Sequence, residues 1–255
     1  MRGISISRQV DEGVAFLSRR FKCRKFIAYF QSFTNTYGDV TRLAGLYREA
    51  VERPAVVGIA IGTRPDCAGE QVLDLLQDLG SERLVWVEYG LQSIHRRTLE
   101  LINRGHGPEE FLDAAARTRR RSIPWVAHII LGLPGESVED MVQTARAVVE
   151  AGAHGVKIHP LYIVSGTALE DMYRAGAYRP MTQEQAAEAT LAVMEVLPPE
   201  MIVHRITSDP HPEELVAPLW MLDRKAVRSH LEQAMEKTDF RQGCRTRKIG
   251  GNFFV

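Results

Sequence analysis

The sequence predicts an α/β fold built on a parallel sheet, and three observations carry that reading. Strand-like apolar runs alternate with amphipathic helical stretches along most of the chain, at the repeat of right-handed βαβ units. The runs are nearly continuous in β-branched and small apolar residues, as in Val56-Val-Gly-Ile-Ala-Ile61, which suits strands buried on both faces. Polar residues collect where the runs end, at the C-terminal ends of strands where such folds place functional groups. The sheet is either open or curled into a barrel.

Residues 7–22 read as a helix, because Val10, Val14, Leu17 and Phe21 recur at steps of three and four. Phe26 to Phe30 reads as a strand. Asp39 is the expected N-cap of a helix whose face holds Leu43, Leu46, Tyr47 and Ala50. Val56 to Ile61 is the next strand. Val72, Leu75, Leu76 and Leu79 mark a helix ended by Gly80. Val85 to Tyr89 is a strand expected to break at Gly90, followed by a helix that carries Leu99 and Ile102 and stops at Gly105. Phe111 to Arg119 is helical, after Pro108. Trp125 to Leu131 is a strand, Val142, Ala145 and Val149 face inward on a helix ending at Gly152, and Val156 to Ile158 is a strand. Gln183 to Val196 is a helix and Met201 to Ile206 a sixth strand. Beyond about Pro210 come Val216-Ala-Pro-Leu-Trp220, a helix near Lys225 to Lys237 and a basic tail, Arg245-Thr-Arg-Lys-Ile-Gly-Gly.

The chain has 255 residues, enough for one large α/β domain. Hydrophobic content is 45% and charged content 25%, as in ordinary soluble globular proteins. Formal net charge is +0, so no global field draws the chain to nucleic acid or membrane, and RNA contact would need a local basic patch. No run suits a membrane helix, and Met1-Arg-Gly-Ile-Ser-Ile lacks the apolar core of a signal peptide, which points to the cytoplasm. Cys23, Cys67 and Cys244 fit neither a disulfide framework nor a zinc ribbon and read as reduced thiols.

The polar cluster richest in chemistry follows Val85 to Tyr89. It holds Glu88, Gln92 and Ser93, with Arg104 twelve positions after Gln92. A carboxylate, an amide, a hydroxyl and a guanidinium suit a zwitterion that carries a sugar. The other strand ends supply Gln31-Ser32, Thr63-Arg64, and Lys157 with His159.

Gly90-Leu-Gln-Ser93, together with Tyr29-Phe-Gln-Ser-Phe-Thr34, Gly62-Thr-Arg-Pro-Asp66, Gly132-Leu-Pro-Gly-Glu136 and Lys157-Ile-His-Pro-Leu161, resembles the radical S-adenosylmethionine (SAM) superfamily and within it the YhcC/YtqA-like family. The resemblance implies a partial (β/α)6 TIM-type barrel over residues 1–209, here missing its first strand, with residues 210–255 appended. It implies SAM and a [4Fe-4S] cluster as cofactors, and a reduced cluster that would yield a 5′-deoxyadenosyl radical from SAM. Flavodoxin or ferredoxin would be the electron donor. The substrate class it implies is RNA, with tRNA first, through relatives that modify tRNA. The cluster sits on CxxxCxxC in that superfamily, and this chain has no such spacing; the expectation is an N-terminally shortened version rather than a loss of the cluster. A less stable, association-prone fold would follow, because an edge strand is left unpaired. Two alternatives stay open: a cluster-less remnant that binds a nucleoside or RNA without catalysis, and a non-radical barrel enzyme using Lys157 and His159 for acid–base or Schiff-base chemistry.

The resemblance places Gln92 and Arg104 against SAM. Glu88 would meet the ribose hydroxyls or the ammonium, or else form an ion pair; Ser93 contacts the cofactor or caps a helix. Thr63 and Arg64 lie in a turn with Pro65, where Arg64 and Asp66 either touch the ligand or pair with each other. Many relatives carry an acidic residue where this chain has Gly62. His128, Lys157 and His159 point to one face by period two, with His128 near SAM by resemblance. Gly132-Leu-Pro-Gly-Glu136 reads as a turn shaping the barrel mouth. Arg117 and Arg119 to Arg121 read as a solvated helix end rather than an RNA contact, and Trp86 and Trp125 as interior aromatics.

Overall fold

The computed structural model describes residues 3–31 and 33–246; Met1, Arg2, Ser32 of the Gln31-Ser32 pair, and the basic tail from residue 247 on lie outside the described residues. In chain order the elements are α1 (Ile6–Phe21), β1 (Phe26–Phe30), α2 (Val40–Val51), β2 (Val56–Thr63), α3 (Glu70–Gly80), β3 (Leu84–Gln92), α4 (Arg96–Leu101), α5 (Pro108–Arg120) and β4 (Trp125–Leu131). There follow α6 (Val138–Glu150), β5 (Gly155–Pro160), β6 (Ile163–Val164), α7 (Ala168–Arg174), α8 (Gln183–Met194), β7 (Ile202–Arg205), β8 (Leu215–Ala217) and α9 (Arg224–Lys237). Six strands hydrogen-bond in the order β1-β2-β3-β4-β5-β7. Pairing is parallel between β1 and β2, β2 and β3, and β5 and β7. Strand order that follows chain order is what successive right-handed crossovers produce. Among the described residues no helix is long and apolar enough to cross a membrane.

The chain divides into two compact units, Met1–Gly90 with Glu109–Val126, and Leu91–Pro108 with Ala127–Val255. In the first, β2 is buried along almost its whole length, as its β-branched run requires. Gly58 is fixed by pairing, since a Cβ there would stand 2.1 Å from the Leu84 carbonyl oxygen. α1 starts on Ser5, whose hydroxyl accepts from Arg8 N, but its apolar stripe is not buried: Phe16 and Phe21 are exposed. α1 and β1 line a cavity of about 460 Å³, and β1 stands at the end of the strand order.

Two boundaries differ from those the sequence suggests. β3 does not break at Gly90 but runs on to Gln92. Extended backbone is open to glycine at an entropic cost only, and the chain turns instead at Gln92, with φ 74°. α4 stops at Leu101, short of Gly105, because Asn103 adopts φ 51°. Asn103 N donates to Glu100 O at 3.0 Å and Arg104 N to Leu99 O at 2.9 Å, the paired bonds of a left-handed C-terminal cap. Arg104 therefore lies beyond the helix, not at its end.

In the second unit, Ser137 and Asp140 form a reciprocal capping box on α6, and Thr182 and Gln185 form another on α8. The residues after Pro210 pack closely on earlier ones. β8 pairs antiparallel with β6, and α9 covers α8 around buried Ala187, Leu191 and Leu231. β6, β8 and α7 are elements the sequence reading omits; two- and three-residue strands carry too few positions for a period to show.

Candidate functional site

The turn after β3 belongs to the second unit, and neighbours in that unit hold it rigidly. Ser93 is 0% exposed; its hydroxyl donates to Glu136 Oε1 and accepts from His95 N at 3.0 Å. Ile94 N donates to Thr144 Oγ1 at 3.2 Å. His95 Nε2 lies 3.0 Å from the Asp140 carbonyl oxygen, and Arg97 pairs with the Asp140 carboxylate at 2.8 Å. Asp140 thereby ties the turn to the start of α6. Hydrogen bonds from Ser137 backbone and hydroxyl, followed by Arg97 and His95, hold its carboxyl below the usual range. Ser93 is thus not the N-cap of α4, a position taken by His95; it locks the turn two residues earlier.

Gln92 is the residue this frame displays. It is half-buried, sits at positive φ, and its amide makes no hydrogen bond among the described residues. A non-glycine residue held in that conformation costs of order 1–3 kcal/mol and persists only where its surroundings over-determine it. Glu136 adds a second unsatisfied group: its Oε2 is buried and has no hydrogen-bond partner among the described residues. The sequence reading treats Glu136 as part of a turn; its place beside two glycines and a proline hid a buried carboxylate that holds Ser93.

The first unit carries a separate polar set at its strand ends. Glu88 is 2% exposed and accepts from Tyr29 Oη at 2.5 Å and from Trp86 Nε1 at 2.9 Å. Trp86 and Glu88 share one face of β3 by the strand period. Thr63 is buried, and its hydroxyl lies 2.6 Å from Thr36 Oγ1, which also donates to the Cys67 carbonyl at 2.8 Å. Arg64 forks onto Asp66 at 2.9 and 2.7 Å, the local pair that fixes this loop. Asn35, not singled out in the sequence, donates to both Phe30 O and Gly62 O and so stitches the ends of β1 and β2 together. A Cβ at Gly62 would stand 3.2 Å from the Phe30 carbonyl, which explains glycine at this crowded point.

In the second unit, β4 and β5 present half-buried His128, Lys157 and His159. The two imidazoles stack with centroids 5.3 Å apart and planes at 27°. Lys157 lies in register with Arg205 of β7.

The basic run of α5 ends in solvent only in part: Arg119 and Arg120 are exposed as expected, but Arg117 and Arg121 are not. Arg117 pairs with Asp113 at 2.8 Å and donates to the Ala68 carbonyl. Arg121 pairs with Asp74 at 2.7 Å and with Glu70. These two guanidiniums are only 14% and 15% exposed.

The two expected cofactors fare differently. A [4Fe-4S] cluster needs neighbouring thiolates. Cys23 and Cys244 are exposed, and burial pushes the half-buried Cys67 thiol up. Among the described residues no three His, Cys, Asp or Glu side chains gather as a metal group. The residues present do not fit the cluster. SAM is matched better, because the Gln92 amide and the Glu136 oxygen are hydrogen-bonding groups left without partners.

Comparison with known proteins gives the same family from independent regions of the chain. Residues 5–148 match the family model of the radical SAM superfamily, and residues 153–237 match that of the Radical_SAM C-terminal domain. The protein YtqA of Bacillus subtilis is 37% identical over 227 residues, covering 89% of this chain and 70% of the relative. YhcC of Escherichia coli is 38% identical over 223 residues, covering 86% and 71%. A tRNA uridine(34) acetyltransferase of Methanocaldococcus infernus is 28% identical over 206 residues, covering 78% of this chain and 37% of that protein. Among solved structures, the archaeal M. infernus Elp3 lacking residues 1–46 superimposes with a TM-score of 0.81 at 21% identity, over 93% of this chain and 60% of that one. That likeness gives the fold, an α/β arrangement of the partial TIM-barrel kind; SAM and a [4Fe-4S] cluster are the cofactors expected for the family. With a family model over more than half the chain and such relatives beside it, this chain belongs to the radical SAM superfamily.

Proposed function

We propose that the chain binds SAM and belongs to an enzyme that modifies RNA through a SAM-derived radical, with tRNA as the substrate class. The observation that carries the SAM reading is Gln92, held at positive φ with its amide unpartnered. SAM, when bound, supplies an alkyl group on a sulfonium centre. Gln92 orients it through one donor and one acceptor. Glu136 receives its ammonium on Oε2, the buried oxygen that has no hydrogen bond among the described residues, once the turn admits the ligand. Arg104, half-buried past the cap of α4, forks onto its carboxylate. Glu88 serves the same end by fixing Tyr29 and Trp86. Similarity to tRNA-modifying relatives supports the substrate class.

A second reading, nucleoside binding without radical chemistry, is favoured by the misfit between the cysteines and a cluster. Calorimetry with S-adenosylhomocysteine tests the site under both readings. Gln92→Gly should weaken binding while raising thermal stability, because glycine relieves the left-handed strain. Arg104→Ala should lose about 1.5–3 kcal/mol of binding, the range for a charge-assisted hydrogen bond. Parent-like binding by both variants refutes the site. Anaerobic reconstitution with iron and sulfide, read by iron content and EPR, separates the readings: a stoichiometric cluster on this chain refutes the second.

A further inference from the structure

Past the C-terminal end of β7, wholly within the second unit, lies a cavity of about 230 Å³ that none of the site described above uses. α8 lines it with Ala186 and Ala187, both buried. Their small size keeps it open, since a longer side chain at either position would occupy it. Trp220 lines it as well. Its indole N–H is already committed to the Met181 carbonyl at 3.1 Å, so the ring offers the cavity an apolar surface.

Charge at the rim is unbalanced. Arg224 is paired with Asp209. Arg205, the last residue of β7, is exposed and has no carboxylate partner among the described residues. Among the lining residues two guanidiniums thus face one carboxylate; the His230 imidazole, also in the lining, faces the Glu184 carboxylate. Apolar walls with one uncompensated guanidinium fit a ring that carries an anionic group, because the fork of arginine matches carboxylate or phosphate oxygens. Its place at the end of a parallel strand is where α/β folds bind small molecules.

We propose that this cavity binds a small ring-bearing anion, with the ring against Trp220 and the two alanines and the carboxylate or phosphate on Arg205. Arg224 is the poorer anchor, since an anion there would have to displace Asp209. The assignment does not rest on the SAM site. Titration calorimetry with benzoate and with uridine monophosphate tests it, using benzamide and uridine as their neutral counterparts. At least one anion should bind, with its neutral counterpart about tenfold weaker or more. Benzoate alone points to a carboxylate ligand, and the nucleotide alone to a phosphate. Arg205→Gln, at an exposed position that leaves the fold intact, should weaken binding about tenfold. Ala187→Leu should abolish it by filling the space, with circular dichroism confirming the fold. The proposal is overturned if neither anion binds, if the neutral counterparts bind equally, or if Arg205→Gln binds like the parent.

Discussion

Two groups of arginines in this chain do opposite work. At the end of α5 two members of the densest basic run are turned inward: Arg117 and Arg121 are matched by Asp113, Asp74 and Glu70, and Arg117 also holds a backbone carbonyl of the loop before α3. At the end of β7 two arginines line a cavity; Arg224 meets Asp209, and Arg205 has no carboxylate partner among the described residues. Density of charge along the sequence therefore points away from ligand binding here. What matters is whether tertiary neighbours neutralise each guanidinium.

The largest effect that separates the two groups is on stability. Arg117→Ala should cost about 2 kcal/mol in urea unfolding, because a largely buried side chain is lost and the carbonyl of buried Ala68 is left unmatched. Arg205→Ala should change stability by less than about 0.5 kcal/mol. Equal losses would erase the contrast.

A double-mutant cycle on Arg121 and Asp74 should give a smaller coupling, about 0.5–1 kcal/mol, since Asp74 is more than half exposed and water screens the pair. Raising salt should shrink it further. A coupling of zero would mean that the pair holds α5 to α3 by geometry alone.

Acid should act on the other unit, through Asp140. Its folded carboxyl titrates below the ordinary range, so the stability it contributes is present above the unfolded value near 4 and is lost as pH falls through the depressed folded value. Melting temperatures taken from neutral to acidic pH should fall less steeply in Asp140→Asn than in the parent. An unchanged slope would show that the Ser137 cap does not carry that linkage.

The smallest expected effect is the most informative about RNA. Arg119→Ala combined with Arg120→Ala removes exposed charge from α5, and tRNA affinity of the folded chain should stay within about twofold at fixed salt. A large loss, with a shallower salt dependence, would make this helix end a phosphate-binding surface after all.

Much of the architecture was legible because periodicity survives in a single chain. The run Val56 to Ile61, the cap at Asp39 and the repeat of strand and helix each express a local rule. The site was legible only in part. Gln92 and Ser93 stood out as polar residues at a strand exit, but Glu136 was masked by a turn, and Ser93 was open between a cofactor contact and a helix cap. Its true partner lies forty-three residues away. Asn103 was a readable stop for α4, outweighed in the sequence by Gly105.

By itself, then, the sequence determined the strands of the six-stranded sheet, which faces are apolar and where polar groups gather, because these depend on neighbours a few positions apart. The tertiary structure decided which polar groups are satisfied. It tied Arg117 to the Ala68 carbonyl and Arg121 to two acids of α3, gave Glu88 a phenol and an indole, and left the Gln92 amide and one Glu136 oxygen without hydrogen bonds among the described residues. Those outcomes depend on distances between segments remote in sequence, and a hydrogen bond or ion pair is made or lost over a fraction of an ångström, which no local pattern encodes.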